Sequence, residues 1–184
     1  SLIKKKLDLY KTDFIPVDSE HFSLWYGLNN IDINSIEKIY LTASGGPFYK
    51  IPLKNFMNIT VTEALNHPNW KMGKKISIDS ATMMNKVFEV IEAKNIFGIP
   101  YEKIKILIHP KSYIHAILKF NNGLMKLVAH ETTMKIPIFN TLFYKSDKIY
   151  HSKKIDINKL NNLNLSNVDA KRYPVTKILK LLEN

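Results

Sequence analysis

The chain has 184 residues, 45% of them hydrophobic, 11% aromatic and 23% charged. That is the size and make-up of about one globular domain, and it excludes collagen-like, disordered and disulfide-framework classes. With no cysteine in the sequence, disulfides, thiolate metal sites, iron–sulfur clusters and cysteine nucleophiles are excluded, and a metal would have to take oxygen or imidazole ligands. The 27 basic and 16 acidic residues leave a net charge of +11, yet only Arg172 among the basic residues is an arginine. Nucleic-acid surfaces lean on the arginine fork, so the lysines read as a solvated surface that steers anionic small substrates, with no nucleic-acid partner.

No run approaches the roughly 18 apolar residues of a membrane span, and no apolar signal core follows the lysine-rich start, so the sequence reads as soluble with no membrane partner. In chain order, the apolar run 13–17 (DFIPV) reads as a strand ending at Asp18, with a helix over 19–28 closed by Asn29 and Asn30. The β-rich run 36–43 (IEKIYLTA) stops at Ser44-Gly45-Gly46-Pro47, where the glycines let the chain turn tightly. Thr60 and Glu63 have capping-box spacing for a short helix that ends at His67-Pro68. Residues 67–75 (HPNWKMGKK) show no periodicity and read as a mobile loop.

A short strand is predicted over 76–78. Asp79 or Ser80 then caps a helix running to Phe97, with Met83, Val87, Val90 and Ile91 as its buried stripe and Gly98 and Pro100 as its stop. Strands follow at 105–109 and 112–120, and Asn122-Gly123 turns the second into a third strand over 124–130. A helix is expected over 136–143. The Asn- and Lys-rich stretch 146–167 has no long periodic face and reads as a linker or docking arm, and 175–182 begins another amphipathic helix. Strands alternating with helices, plus one hairpin, argue an α/β fold with a mixed sheet flanked by helices. No G-x-G-x-x-G or Walker-type loop occurs, nor a G-x-S-x-G elbow, so neither a dinucleotide fingerprint nor a serine hydrolase is supported.

Several residues carry candidate chemistry. Asp18 and Glu20 stand two apart and, in extended chain, would share one face; they suit either a hard divalent cation, Mg²⁺ or Mn²⁺, or a helix N-cap. Residues 80–89 (SATMMNKVFE) gather hydroxyls, an amide, an ammonium and a carboxylate into the first turns of one helix. Ser80, Lys86 and the free N–H groups there suit a phosphate, while Asn85 and Glu89, four apart, share a face on which Glu89 could become a third metal ligand; a solvated polar face is the alternative. His67 and Trp70 could belong to a lid. His115 could hydrogen-bond a phosphate or sit satisfied in the core, and Ser44 could donate to an oxyanion or simply shape its turn.

Taken in order, 17–21 (VDSEH), 41–48 (LTASGGPF), 67–70 (HPNW) with 72–77 (MGKKIS), 79–86 (DSATMMNK), 91–93 (IEA) and 108–115 (IHPKSYIH) resemble the catalytic domain of the 1-deoxy-D-xylulose 5-phosphate reductoisomerases. The resemblance covers about residues 13–145 and extends weakly through Arg172, Tyr173 and Pro174. It implies an NADPH- and metal-dependent conversion of 1-deoxy-D-xylulose 5-phosphate to 2-C-methyl-D-erythritol 4-phosphate in non-mevalonate isoprenoid synthesis. By the same resemblance Asp18, Glu20 and Glu89 ligate Mg²⁺ or Mn²⁺, and Ser19 meets the substrate beside the metal. Ser44, His67, Ser80, Asn85 and Lys86 hold substrate, chiefly its phosphate. Trp70 closes from a flap, Met72 approaches the nicotinamide, and His115 and Met134 line the pocket.

Where the family usually has Gly-Leu before the third acidic ligand, this chain has Val87 and Phe88, so packing near Glu89 is expected to differ. Thr132 and Thr133 stand for a usual Pro-Asp, and 143–145 (FYK) for a Trp-Pro step. The resemblance further implies that 1–17 ends an NADPH-binding domain, 18–145 is the catalytic domain, and 146–184 is a linker with the start of a C-terminal helical domain. On that expectation the chain is a piece of a homodimeric protein of a bacterial cytoplasm or a plastid, and binds NADPH poorly and turns over negligibly by itself. A basic nucleic-acid-binding domain and a degenerate metal-binding scaffold are the competing readings.

Overall fold

The structure, a computed structural model, describes residues 2–182. Its strands are β1 (Ile36–Ala43), β2 (Ile104–Ile108), β3 (Ile114–Phe120), β4 (Met125–Ala129) and β5 (Ser166–Asn167), joined in one mixed sheet in the order β4-β3-β1-β2-β5. The β-branched run that makes β1 carries Leu41 opposite Ile106 of parallel β2 and opposite Ala116 of antiparallel β3. Residues opposite one another share a face. Ile39, Leu41, Ile104, Ala116 and Leu118 therefore form one apolar surface, closed by Leu24 from helix α2 (Ser19–Leu28) and by Val90 and Ala93 from helix α5 (Met84–Phe97); α1 (Leu2–Tyr10) precedes α2.

A parallel pair needs a long crossover. Between β1 and β2 the chain runs through α3 (Val61–Leu65), α4 (Lys74–Thr82) and α5, which places those elements beside the ends of β1 and β2. A second, smaller cluster of Ala43, Met83, Ile108 and Tyr173 sits at those strand ends. It forms the floor under the site. Helices α6 (Lys135–Leu142), α7 (Ile157–Asn161) and α8 (Ile178–Leu181) complete the chain, and β5 pairs with the outer edge of β2. No helix among the described residues is long and apolar enough to cross a membrane.

Four expectations about the elements are corrected. Residues 13–17 run to α2 without entering the sheet, and Pro16 within them has no N–H to give to a ladder. Residues 76–78 are helical: Ile76 and Ile78 are 38% and 37% exposed, so their alternation marks no buried strand face, whereas Ser77 and Ala81, four apart, are the buried pair of α4. Asp79 and Ser80 do not cap a helix running to Phe97. They lie inside α4, and the break falls at Met83, whose φ of 68° is left-handed and whose N–H bonds the Ser80 carbonyl. That conformation costs a non-glycine residue about 1 kcal/mol, and the burial of Met83 in the strand-end cluster offsets it. At the other end, 175–182 is split into a 3-10 turn, Pro174–Lys177, and the short α8.

The turn after β1 approaches the α4–α5 junction closely. Gly46 has a φ of +64°, and a Cβ there would lie 2.7 Å from the Ser80 carbonyl oxygen. Gly46→Ala is expected to lower stability by about 2 kcal/mol or more, through the left-handed backbone and the backbone clash together. A shift in the urea midpoint at unchanged slope would read this out; an unmoved midpoint would contradict it.

Candidate active site

The cleft lies where β1 and β2 end and β3 begins, the carboxyl edge at which α/β sheets commonly hold ligands. It has a volume of about 290 Å³ and is lined by Asp18, Ser19, Glu20, Ser44, His67, Trp70, Met72, Ser80, Asn85, Lys86, Glu89 and Met134, among others. Of the residues singled out in the sequence, His115 alone is not in the lining. It lies behind Glu20, fully buried, with Nδ1 3.8 Å from Glu20 Oε1.

Asp18 is the N-cap of α2, its Oδ1 accepting from the N–H groups of Glu20 and His21 at 3.1 and 3.0 Å. The helix-cap reading of this residue thus holds, and the capped carboxylate also lines the cleft. The pair does not owe its closeness to extended chain, as the spacing suggested, but to the cap and first turn of a helix. Glu89 arrives from the second turn of α5. His21 ties the two helices together, its Nε2 lying 2.9 Å from the Glu89 carbonyl oxygen. Each of Asp18, Glu20 and Glu89 offers an oxygen within 4.8 Å of the other two.

Such a cluster needs positive charge. Lys86, 5% exposed, supplies it, with Nζ 2.5 Å from Glu89 Oε2 and 3.1 Å from Glu20 Oε1. Burial alone would push the Glu20 carboxyl up, but Lys86 and His115 outweigh it and hold it far below the ordinary range. Burial wins at Glu89, which is driven well above the usual carboxylate value with help from the Glu20 and Asp18 charges, and Asp18 is raised by burial and by Glu20. Burial disfavours the Lys86 ammonium, yet the three carboxylates raise it above its ordinary value.

The donor set fits a hard divalent ion. Oxygens about 2.1 Å from Mg²⁺ stand at most about 4.2 Å apart, so the trio closes round such an ion with side-chain movements of under about an ångström. The all-oxygen ligands select Mg²⁺ or Mn²⁺ over softer metals. Asp18, Glu20 and Glu89 would hold it. For a nicotinamide, the resemblance singles out one residue present here, Met72, which lines the cleft.

Beside the carboxylates lies a set of donors. His67 Nδ1 accepts from the N–H groups of Asn69 and Trp70 at 3.1 and 3.0 Å, which fixes the ring proton on Nε2, directed at Ser44 Oγ 3.0 Å away. Ser44 Oγ also accepts from Gly46 N–H at 2.9 Å. With two donors already pointing at its oxygen, the hydroxyl proton of Ser44 is the part left for a ligand. His67 thus shapes the start of the 66–73 loop as well as one wall of the cleft. Asn69 anchors the same loop to the β2–β3 connection, donating to Pro110 O and Ser112 Oγ at 2.7 and 2.8 Å. Ser80 faces the cleft from the last turn of α4, not from a helix start; the helix start in this stretch falls at Met84.

Sequence reasoning passed over His21, Asn69, His130 and Tyr173. His130 stacks on His115 with ring centroids 3.8 Å apart and planes 17° from parallel. Tyr173 donates its hydroxyl to the Gly45 carbonyl at 2.7 Å; burial pushes that hydroxyl up to about 12. The weak Arg-Tyr-Pro resemblance reached Tyr173, and His21 and Asn69 fall inside the strings VDSEH and HPNW without a role of their own, because the contacts that matter, to Glu89 and to Pro110 and Ser112, lie far along the chain; nothing in the sequence marks His130.

Residues 14–97 match the family model described as 1-deoxy-D-xylulose 5-phosphate reductoisomerase C-terminal domain. The 1-deoxy-D-xylulose 5-phosphate reductoisomerase of Pelagibacter ubique is 64% identical over all 184 residues, which amount to 47% of that protein. The Sulfurihydrogenibium enzyme of the same name is 46% identical over 93% of this chain and 45% of its own length. A crystal structure of DOX-P reductoisomerase with NADPH, fosmidomycin and magnesium superposes with a TM-score of 0.88 at 33% identity, covering 99% of this chain and 47% of that one. The Zymomonas mobilis reductoisomerase in complex with NADPH gives 0.86 at 34% identity, covering 97% of this chain and 46% of the other. The chain spans about half the length of the curated relatives it matches. Whole-chain sequence likeness, the matched C-terminal-domain stretch and the shared backbone together make this chain similar, over its length, to about half of a 1-deoxy-D-xylulose 5-phosphate reductoisomerase.

Proposed function

We propose that this chain supplies the metal- and substrate-binding part of an NADPH-dependent reductoisomerase that converts 1-deoxy-D-xylulose 5-phosphate to 2-C-methyl-D-erythritol 4-phosphate. The observation that carries the reading is the convergence of Asp18, Glu20 and Glu89 within 4.8 Å of one another, on the wall of a cleft that also holds Ser44, Ser80, Asn85 and Lys86. The relatives' names and the NADPH, fosmidomycin and magnesium in their structures support it.

When bound, a divalent ion polarises oxygens on the reacting carbons and NADPH supplies the hydride, chemistry that side chains do not provide. This chain's residues bind and orient. Ser44, Ser80, Asn85 and Lys86 take the phosphate, the Ser44 hydroxyl turned outward by the two donors on its oxygen. Ser19, whose hydroxyl donates to Glu20 Oε2 at 2.6 Å, meets the sugar beside the carboxylates. Trp70 and Met72, on the loop that His67 and Asn69 anchor, cover the carbon skeleton and exclude water, with phosphate contacts remote from the reacting bonds stabilising the closed loop. Met134 walls the opposite side. The reading also carries a homodimeric full-length protein in a bacterial cytoplasm, in line with its bacterial relatives.

Calorimetric titration of the chain tests the reading. With Mn²⁺ present, 1-deoxy-D-xylulose 5-phosphate is expected to bind saturably, and the sugar without its phosphate at least ~100-fold more weakly, as expected when two or more charge-assisted bonds are lost. Equal affinities, or no binding of either, would sink it.

A further inference from the structure

Both oxygens of Glu89 are engaged by donors that the proposed function gives to the ligand's phosphate. Asn85 Nδ2 lies 2.5 Å from Oε1, and Lys86 Nζ lies 2.5 Å from Oε2. Lys86 also reaches Glu20 Oε1 at 3.1 Å, so its ammonium lies between two of the three carboxylates, where a cation would go. Glu89 and Lys86 are 3% and 5% exposed, and Glu89 would be an unpaired buried charge without Lys86. A carboxylate and a phosphate offer donors the same thing, anionic oxygens about 2.7–2.9 Å away.

We propose that Glu89 is an internal stand-in for the phosphate, so that divalent cation and phosphate bind with positive coupling through Asn85 and Lys86. An anion that draws these two donors away frees both oxygens of Glu89 for the cation and removes a positive charge from the cation's place. A cation that takes Glu89 releases the same donors to the anion. By linkage the two effects are equal in size. Ser44 is held by His67 and Gly46, outside this exchange, so the coupling is confined to the two α5 residues. The inference rests on the proposed function for the nature of the two ligands, and on the distances around Glu89 for their coupling.

The test uses Mn²⁺ alone and inorganic phosphate as probes, with free Mn²⁺ followed by its electron paramagnetic resonance and protein-free mixtures correcting for association of the two ions. In the unsubstituted protein, saturating phosphate is expected to tighten Mn²⁺ binding at least ~fivefold, the lower end of ordinary coupling. Without phosphate, Asn85→Ala and Lys86→Met should each bind Mn²⁺ more tightly than the unsubstituted protein, and Lys86→Met should lose the response to phosphate. A site in which Lys86 and Asn85 merely brace Glu89 gives the opposite sign, weaker Mn²⁺ binding in both variants, and that result overturns the proposal. If Lys86→Met does not fold, Asn85→Ala and the phosphate response of the unsubstituted protein decide. Mn²⁺ binding that phosphate leaves unchanged ends the coupling alone; no Mn²⁺ binding at all removes the proposed function and the coupling with it.

Discussion

Glu89→Gln is expected to weaken Mn²⁺ binding at least ~100-fold while leaving the fold as stable as before, or more so. Loss of a residue that only supports a metal ligand typically costs ten- to a hundredfold in metal affinity, so loss of a ligand carboxylate sets that figure as a floor. Stability should move the other way because of the raised Glu89 carboxyl. A carboxyl whose folded value lies above its unfolded one costs stability once the pH passes the unfolded value, and the cost grows until the folded value is reached. At neutral pH the fold therefore carries an expense that a neutral, isosteric amide removes. Lys86 keeps Glu20 as a partner at 3.1 Å, so the substitution leaves no stranded cation. Metal titration alongside urea unfolding checks both halves. A variant that binds Mn²⁺ like the unsubstituted protein would remove Glu89 from the site, and a large fall in stability would mean that its charge holds the fold together.

The second large effect is a loss of stability on mild acidification, traceable to His130. The ring is 9% exposed, stacks on His115, packs its edge on Phe22, and lies with Nδ1 2.8 Å from the Glu131 carbonyl, while Nε2 has no protein partner. Burial first, then the neighbouring His115, lower its value to about 4 from the usual 6.5. The sign follows from linkage: a histidine depressed on folding favours the neutral form, so its contribution is fully present above about 6.5 and is lost as the pH falls toward 4. A shift of this size corresponds to about 3 kcal/mol across that interval. His130→Phe keeps a flat ring against His115 and cannot take up a proton, so its stability should be flatter over the same range. Urea unfolding from pH 7.5 to 4.5 would show it; parallel curves for the two proteins would rule His130 out as the cause.

Much of the frame was legible because the relevant chemistry is local. The β-branched run ending in Ser44-Gly45-Gly46-Pro47 marks both ends of β1, Thr60 and Glu63 form the reciprocal cap their spacing called for, and Gly123 turns the β3–β4 hairpin with a φ of 85°. The mixed sheet follows from such pieces. The strand–helix confusion at 76–78 arose because two isoleucines two apart match the strand period while the helical pair that is buried, Ser77 and Ala81, is small and carries no hydrophobic signal. The break at Met83 was hidden for a different reason: a left-handed methionine has no sequence signature and exists because packing against Ala43, Ile108 and Tyr173 holds it.

Within the site, Asn85 and Glu89 could be paired from their separation of four, and Asp18 with Glu20 from nearness alone. That these two pairs meet, and that Lys86 lies between them, depends on α2 and α5 packing side by side, with His21 spanning the gap. Such contacts join residues about 65 to 70 positions apart, beyond any local pattern. The resemblance to a family supplied the trio where residue spacing left it open.

The last stretch of chain enters the cleft's architecture from outside it. Arg172 donates to the carbonyls of Phe48 and Ile51 at 2.7 and 2.6 Å, and Tyr173 to that of Gly45. Those three carbonyls belong to the turn that presents Ser44, so the turn's inner rim is clasped by residues more than 120 positions downstream. Shortening the polypeptide to its motif-bearing portion would keep every side chain proposed to meet a ligand, yet unfasten the loop that aims one of them.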